Sequence, residues 1–214
     1  MMYPMPSSCQ IKNLAEIYEF IFKEKTNGFF VDVGAYDGFE WSNTWALSEA
    51  GWEGLCIEPY PMYAEKCMNK HNQAGHKVTT LQCAVGEANC RCNMFLDPTG
   101  CSHTIDAETT IRSPWGFEYD GSKLEVDCFT LDFILDNMMK TSKHIDVLNI
   151  DVEGAELKVM DGFSFVKRKP TLVIIETHKG QYGKDFHAEE IFNLMSYFGY
   201  EEIQSDGLNS IFKI

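Results

Sequence analysis

Apolar residues along the chain follow two rhythms that take turns. In residues 12–24, Leu14, Ile17, Tyr18 and Ile21 recur at the three-to-four spacing of one helical face. At 29–33 the run FFVDV reads as a strand. The same reading gives a helix at about 40–50, a strand at 54–58 (GLCIE), a helix at about 61–71 and a strand at 78–83 (VTTLQC). Residues 91–97 and 123–129 read as a short extended pair flanking a polar loop. TLDFILDNMM follows as a helix with Thr130 as its N-cap. IDVLNID (145–151) is a strand, AELKVMDGF a helix, and TLVIIET (171–177) a strand. The helix AEEIFNLMSYFG and the strands YEEIQS and NSIFKI complete the order.

Strands that alternate with helices predict an α/β fold, a parallel sheet covered on both faces. The unbroken apolar runs DVLNI and TLVII suit central strands. Only DGL separates the last two strands, which predicts an antiparallel hairpin. A length of 214 residues predicts one domain over 1–214, opened by a helical segment at 1–27. The polar stretch at about 98–122 is long for a connection and reads as a lid over an acceptor.

Charge narrows the partners. Eighteen Lys and Arg against 32 Asp and Glu give a net charge of -14, which argues against nucleic acid. No apolar run reaches the ~20 residues of a membrane span. The first residues show no basic-then-apolar leader, so a cytoplasmic location and reduced thiols are expected for the eight cysteines. The pair Cys90 and Cys92 lacks the second pair that a tetrahedral metal site takes.

In open α/β sheets ligands bind beyond the carboxyl ends of the strands. Here those ends repeat one chemistry: VDVGAYDG, CIEPY, QCAVG, NIDVEGAE and IIETH. Asp32, Asp37, Glu58, Asp151, Glu153, Glu176 and His178 should therefore rim one edge. The first loop holds Gly34 and Gly38 but lacks the G-x-G spacing that receives a pyrophosphate. A nicotinamide-dependent oxidoreductase is thereby disfavoured. Glu58 occupies the position from which a carboxylate takes both ribose hydroxyls. A nucleoside with a positively charged group fits the acids, and S-adenosylmethionine carries a sulfonium and an ammonium.

The segment VDVGAYDGFEWSNTWALSEAGWEGLCIEPYPMY together with IDVLNIDVEGAELKVMDGFSF resembles the FkbM family of S-adenosylmethionine-dependent methyltransferases, over about residues 28–178. The resemblance implies a Rossmann-like class I methyltransferase sheet of seven strands, mostly parallel with the last antiparallel. It implies a cofactor site around Asp32, Gly34, Ala35, Tyr36, Asp37, Gly38, Ser42, Asn43, Glu58, Pro59, Ala84, Val85 and Asp151. Tyr36 stands where the family usually has Asn. The resemblance also implies O-methylation of a hydroxyl, with a carbohydrate or glycan as acceptor.

A sugar hydroxyl needs a base or a metal ion when it attacks. Asp151 and Glu153 alternate onto one side of an extended stretch, as do Glu176 and His178. Asp151 or His178 is the expected base, with Glu153 orienting it or sharing a divalent cation such as magnesium or manganese. Glu156 is expected to support the turn. Trp41, Trp45 and Trp52 read as packing residues, His71 and His76 as solvated, and Trp115 and Phe117 as platforms for a sugar face. The remaining alternative is a methyltransferase-fold module that binds a partner without turnover.

Overall fold

The computed structural model describes residues 2–107, 109, 119–178 and 187–214. Its main sheet has seven strands: β1 (Phe29–Val33), β2 (Glu53–Ile57), β3 (Lys77–Leu81), β7 (Val147–Ile150), β8 (Leu172–Glu176), β9 (Glu201–Ser205) and β10 (Asn209–Lys213). They lie in the order β3-β2-β1-β7-β8-β10-β9. Pairing is parallel from β3 across to β8, and β10 runs antiparallel to both neighbours. The expected hairpin is β9–β10.

Alternation along the strands separates two apolar layers. Val31, Val33, Leu55, Ile57, Leu148, Ile150, Val173 and Ile175 face one core. Helices α5 (Glu156–Asp161) and α7 (Ala188–Tyr197) cover it with Val159, Ile191 and Met195. Phe30, Cys56, Val147, Ile174 and Ile211 face the other, under α1 (Leu14–Phe22), α2 (Trp45–Glu49) and α3 (Pro61–Ala74). Trp52 is fully enclosed there, its indole N–H donating to Lys25 O at 2.7 Å, with Tyr3 and Phe22 edge-on to the ring.

A second, three-stranded sheet places β6 (Lys123–Phe129) between β4 (Ala84–Val85) and β5 (Cys90–Phe95). β5 and β6 are the expected extended pair, and they run antiparallel. Asp32 shares the face of Phe30 rather than that of Val31, so its side chain turns toward α2.

Several elements differ from expectation. Residues 40–44 form turns, and α2 starts only at Trp45, where the hydroxyl of Ser42 accepts from the N–H groups of Thr44 and Trp45. The TLDFILDNMM helix is a three-residue turn, α4 (Leu131–Phe133), that widens into a π-helical turn at Ile134–Met138. Thr130 does cap it, accepting from Phe133 N at 3.1 Å. α6 (Phe165–Arg168) is a further short helix.

His71 and His76 are not solvated. His71 lies 1% exposed under Trp45, its Nδ1 2.9 Å from His76 Nδ1, and Glu49 holds His76 from the other side. Among the described residues no helix is long and apolar enough to cross a membrane.

Candidate active site

A cleft of about 910 Å³, part of it open to solvent, lies beyond the carboxyl ends of β1, β2 and β7. Its shape begins at Gly34. The N–H groups of Gly34 and Ala35 both donate to Ile57 O, at 2.9 and 3.1 Å, which folds the first loop over the end of β2. Gly34 has φ +84°, and a Cβ there would stand 1.7 Å from Asp151 O. Only glycine fits a positive φ pressed against backbone.

Glu58, the residue after β2, is buried, with each carboxylate oxygen accepting one backbone N–H: Tyr36 N at 3.0 Å and Tyr60 N at 2.8 Å. An ionised carboxylate has about four acceptor positions, so two remain for further donors. Burial pushes this carboxyl up to about 8.

Asp32 is held differently. Asn149 Nδ2 donates to one of its oxygens at 2.8 Å and Thr44 Oγ1 to the other at 2.6 Å. Burial raises its carboxyl to about 6 against those bonds. The network continues from Asn43 Nδ2, which donates to Asn149 Oδ1 and to Gln10 Oε1, each at 3.1 Å. Gln10 Nε2 then donates to Asp151 Oδ2 at 3.1 Å. The segment before α1 is thereby hooked across the cleft.

The structure brings most of the expected residues to one wall. Asp32, Gly34, Ala35, Tyr36, Ser42, Asn43, Glu58, Pro59, Ala84, Val85, Asp151 and Glu153 all line the cleft. Asp37 and Gly38 do not. The Asp37 carboxylate accepts from the N–H groups of Phe39 and Glu40 and pairs with Lys70 at 2.7 Å. Burial opposes its ionisation, but Lys70 and the two N–H groups outweigh this and hold it below the usual carboxylate range. Gly38 packs on Cys67 and His71.

His178 also lies off the cleft wall, 1% exposed, with Nε2 3.1 Å from Glu176 Oε1. Burial lowers its imidazole to about 4. That placement keeps its ring off the open wall of the cleft. Burial raises Asp151 and, more strongly, Glu176, which also feels the charges of Asp151, Glu153 and Glu156. Glu156 supports the turn as expected, one oxygen accepting from Val152 N and Gly154 N at 3.1 Å.

Other lining residues carry weaker sequence signals or none. Trp41, expected to pack inside, is 46% exposed and meets Tyr36, which in turn contacts Tyr63 at 4.1 Å between ring centres. Asn149 is a lone polar residue in an apolar strand, which is a readable sign. Gln10 offers none, because its partner Asp151 lies 141 residues away.

Part of the expected lid is described: Asp97 accepts from Thr99, Cys101 and Ser102 N–H groups, and Gly100, Cys101, His103 and Ile105 face the cleft. Trp115 and Phe117 lie outside the described residues.

The donor set fits S-adenosylmethionine. Among the described residues the cleft wall carries Asp32, Glu40, Glu58, Asp151 and Glu153 and neither lysine nor arginine. A pyrophosphate would meet only acids there, whereas an ammonium and a sulfonium are attracted.

The comparisons agree with this reading. The family model for the methyltransferase FkbM domain matches residues 32–202. Among solved structures, a methyltransferase FkbM from Methylobacillus flagellatus KT superposes with a TM-score of 0.53 at 16% identity, covering 88% of this chain. This chain spans only 44% of that one. A putative caffeoyl-CoA O-methyltransferase from Staphylococcus aureus gives 0.53 at 13% identity, over 96% of this chain and 84% of that one. A putative O-methyltransferase from Klebsiella pneumoniae gives 0.52 at 11%, over 98% and 83%. At such identities these structures establish the fold alone. No match was found among curated proteins. The chain belongs to the FkbM family of S-adenosylmethionine-dependent methyltransferases.

Proposed function

We propose that this chain methylates a hydroxyl, with a sugar or glycan as the acceptor. When bound, S-adenosylmethionine supplies a sulfonium-activated methyl carbon, and in-line attack by an acceptor oxygen forms the C–O bond as the C–S bond breaks. Glu58 would hold the ribose hydroxyls through its two remaining acceptor positions. Asp32, Gly34, Ala35, Tyr36, Ser42, Asn43, Pro59, Ala84 and Val85 would complete the cofactor wall. Asp37 and Gly38 would shape the loop without touching the ligand.

The observation that carries hydroxyl transfer is the pair Asp151 and Glu153 on the cleft wall. An amine attacks unassisted once neutral, but a sugar hydroxyl has to shed a proton as it attacks. Asp151, oriented by Gln10, would receive that proton. The aromatic side chains of Trp41, Tyr36 and Tyr63 supply faces suited to stacking.

A labelled methyl-donor assay across monosaccharides, nucleotide sugars and glycans tests the acceptor, with mass spectrometry locating the new methyl group. Asp151→Asn should lower kcat at least a hundredfold and change S-adenosylhomocysteine affinity less than tenfold. An unchanged kcat would remove Asp151 as the base.

A further inference from the structure

Behind the part of the wall that Asp151 and Glu153 present, three potential ligand groups converge. Glu153 follows β7, Glu176 ends β8, and His178 lies two residues beyond it. One ligand atom from each lies within 4.8 Å of the others. His178 Nε2 and Glu176 Oε1 are 3.1 Å apart. Two ligands at right angles on a cation with bonds of about 2.2 Å stand at that separation.

A second observation points to a ligand. Glu176 is 2% exposed, and among the described residues its Oε2 has no hydrogen-bond partner. The Asp151 carboxyl is close enough to interact with it directly, so acceptor faces acceptor. Such a contact holds only with a proton or a metal ion between or beside the oxygens, because bare buried charge is costly.

We propose that Glu153, Glu176 and His178 bind one divalent transition-metal cation, of the manganese type, at the base of the cleft. The proposal rests on the methyl-transfer reading and adds a Lewis acid to it. Carboxylates alone suit magnesium and manganese equally, and an imidazole ligand moves the preference away from magnesium. Three protein ligands leave coordination positions for water or an acceptor oxygen, the arrangement of catalytic rather than structural sites. Glu153 is the ligand that also lines the cleft. A hydroxyl bound to the cation there would lose its proton to Asp151 more readily as the C–O bond forms.

Titration of the full chain with Mn²⁺, read by the electron paramagnetic resonance of free Mn²⁺, should give one bound ion per chain. Mg²⁺ should bind at least tenfold more weakly. Glu153→Gln alters a half-buried residue at the cleft and leaves both apolar cores intact; it should weaken Mn²⁺ binding at least tenfold. His178→Gln should do the same and abolish the nitrogen coupling in the bound-Mn²⁺ spectrum. No uptake by the parent at millimolar Mn²⁺, or an unchanged affinity in Glu153→Gln, overturns the site. S-adenosylhomocysteine binding is measured on the same samples. Mn²⁺ uptake without it supports the site while overturning the methyl-donor reading, and the converse overturns the site alone.

Discussion

Glu58 illustrates how the backbone positions the carboxylate proposed to meet the ribose. Two N–H groups fix both of its oxygens, so a ligand hydroxyl finds them already aligned. Glu58→Ala should weaken S-adenosylhomocysteine binding by about 1.5–3 kcal/mol, the usual worth of hydrogen bonds to a charged group. Isothermal titration checks this, and an unchanged affinity would remove the ribose assignment. Gly34→Ala forces a Cβ into Asp151 O at a positive φ and should cost at least about 2 kcal/mol in urea unfolding. At this scale the strand-end rule made Asp32, Glu58, Asp151 and Glu153 readable. It failed for Asp37 because Lys70, a whole helix away in sequence, captures that carboxylate, and for His178 because the chain turns it inward at φ +47°.

At the scale of elements, the strands were legible and the irregular helices were not. Apolar runs fix β1, β2, β7 and β8 to within a residue or two, since a strand covered on both faces is apolar along most of its length. Nothing in TLDFILDNMM distinguishes an α-helix from a turn that widens at Ile134, because both present Leu131, Ile134 and Leu135 to the core. The segment before α1 was equally opaque. It reads as part of the opening helical segment, yet it precedes the helix and Gln10 ties it to Asn43 and Asp151. Gln10→Ala removes two part-buried hydrogen bonds and should destabilise this segment by about 1–2 kcal/mol. Hydrogen exchange should then quicken at residues 9–12 while β1 stays protected; equal protection in both would show that the hook is idle.

At the scale of the whole molecule, two buried cleft acids contribute a pH dependence opposite to that of salt-bridged carboxylates. The folded values of Asp32 and Glu58 stand above their ordinary ones, at about 6 and about 8. The folded state therefore holds more protons than the unfolded chain above the ordinary carboxylate range. Their contribution is fully present below about pH 4 and is lost as the pH rises, through about 6 for Asp32 and about 8 for Glu58. In thermal unfolding of the ligand-free chain these two carboxyls should contribute a decline in Tm from pH 5 to pH 8. Glu58→Gln should flatten the upper part of that decline, and an equal slope in both proteins would show that the cleft is better hydrated than its burial indicates. The strand-end acids hinted at a cationic ligand, but only the folded chain shows which of them gather on the cleft wall.

The position of β10 bears on how the chain matures. It leaves the ribosome after β9, yet sits between β8 and β9, with Ile211 and Phe212 both 1% exposed. Until those residues emerge, β8 has an open flank and β9 has nowhere to dock. A nascent polypeptide halted at residue 208 would thus be a sticky, half-zipped species, and the sheet closes only once Asn209–Lys213 has emerged.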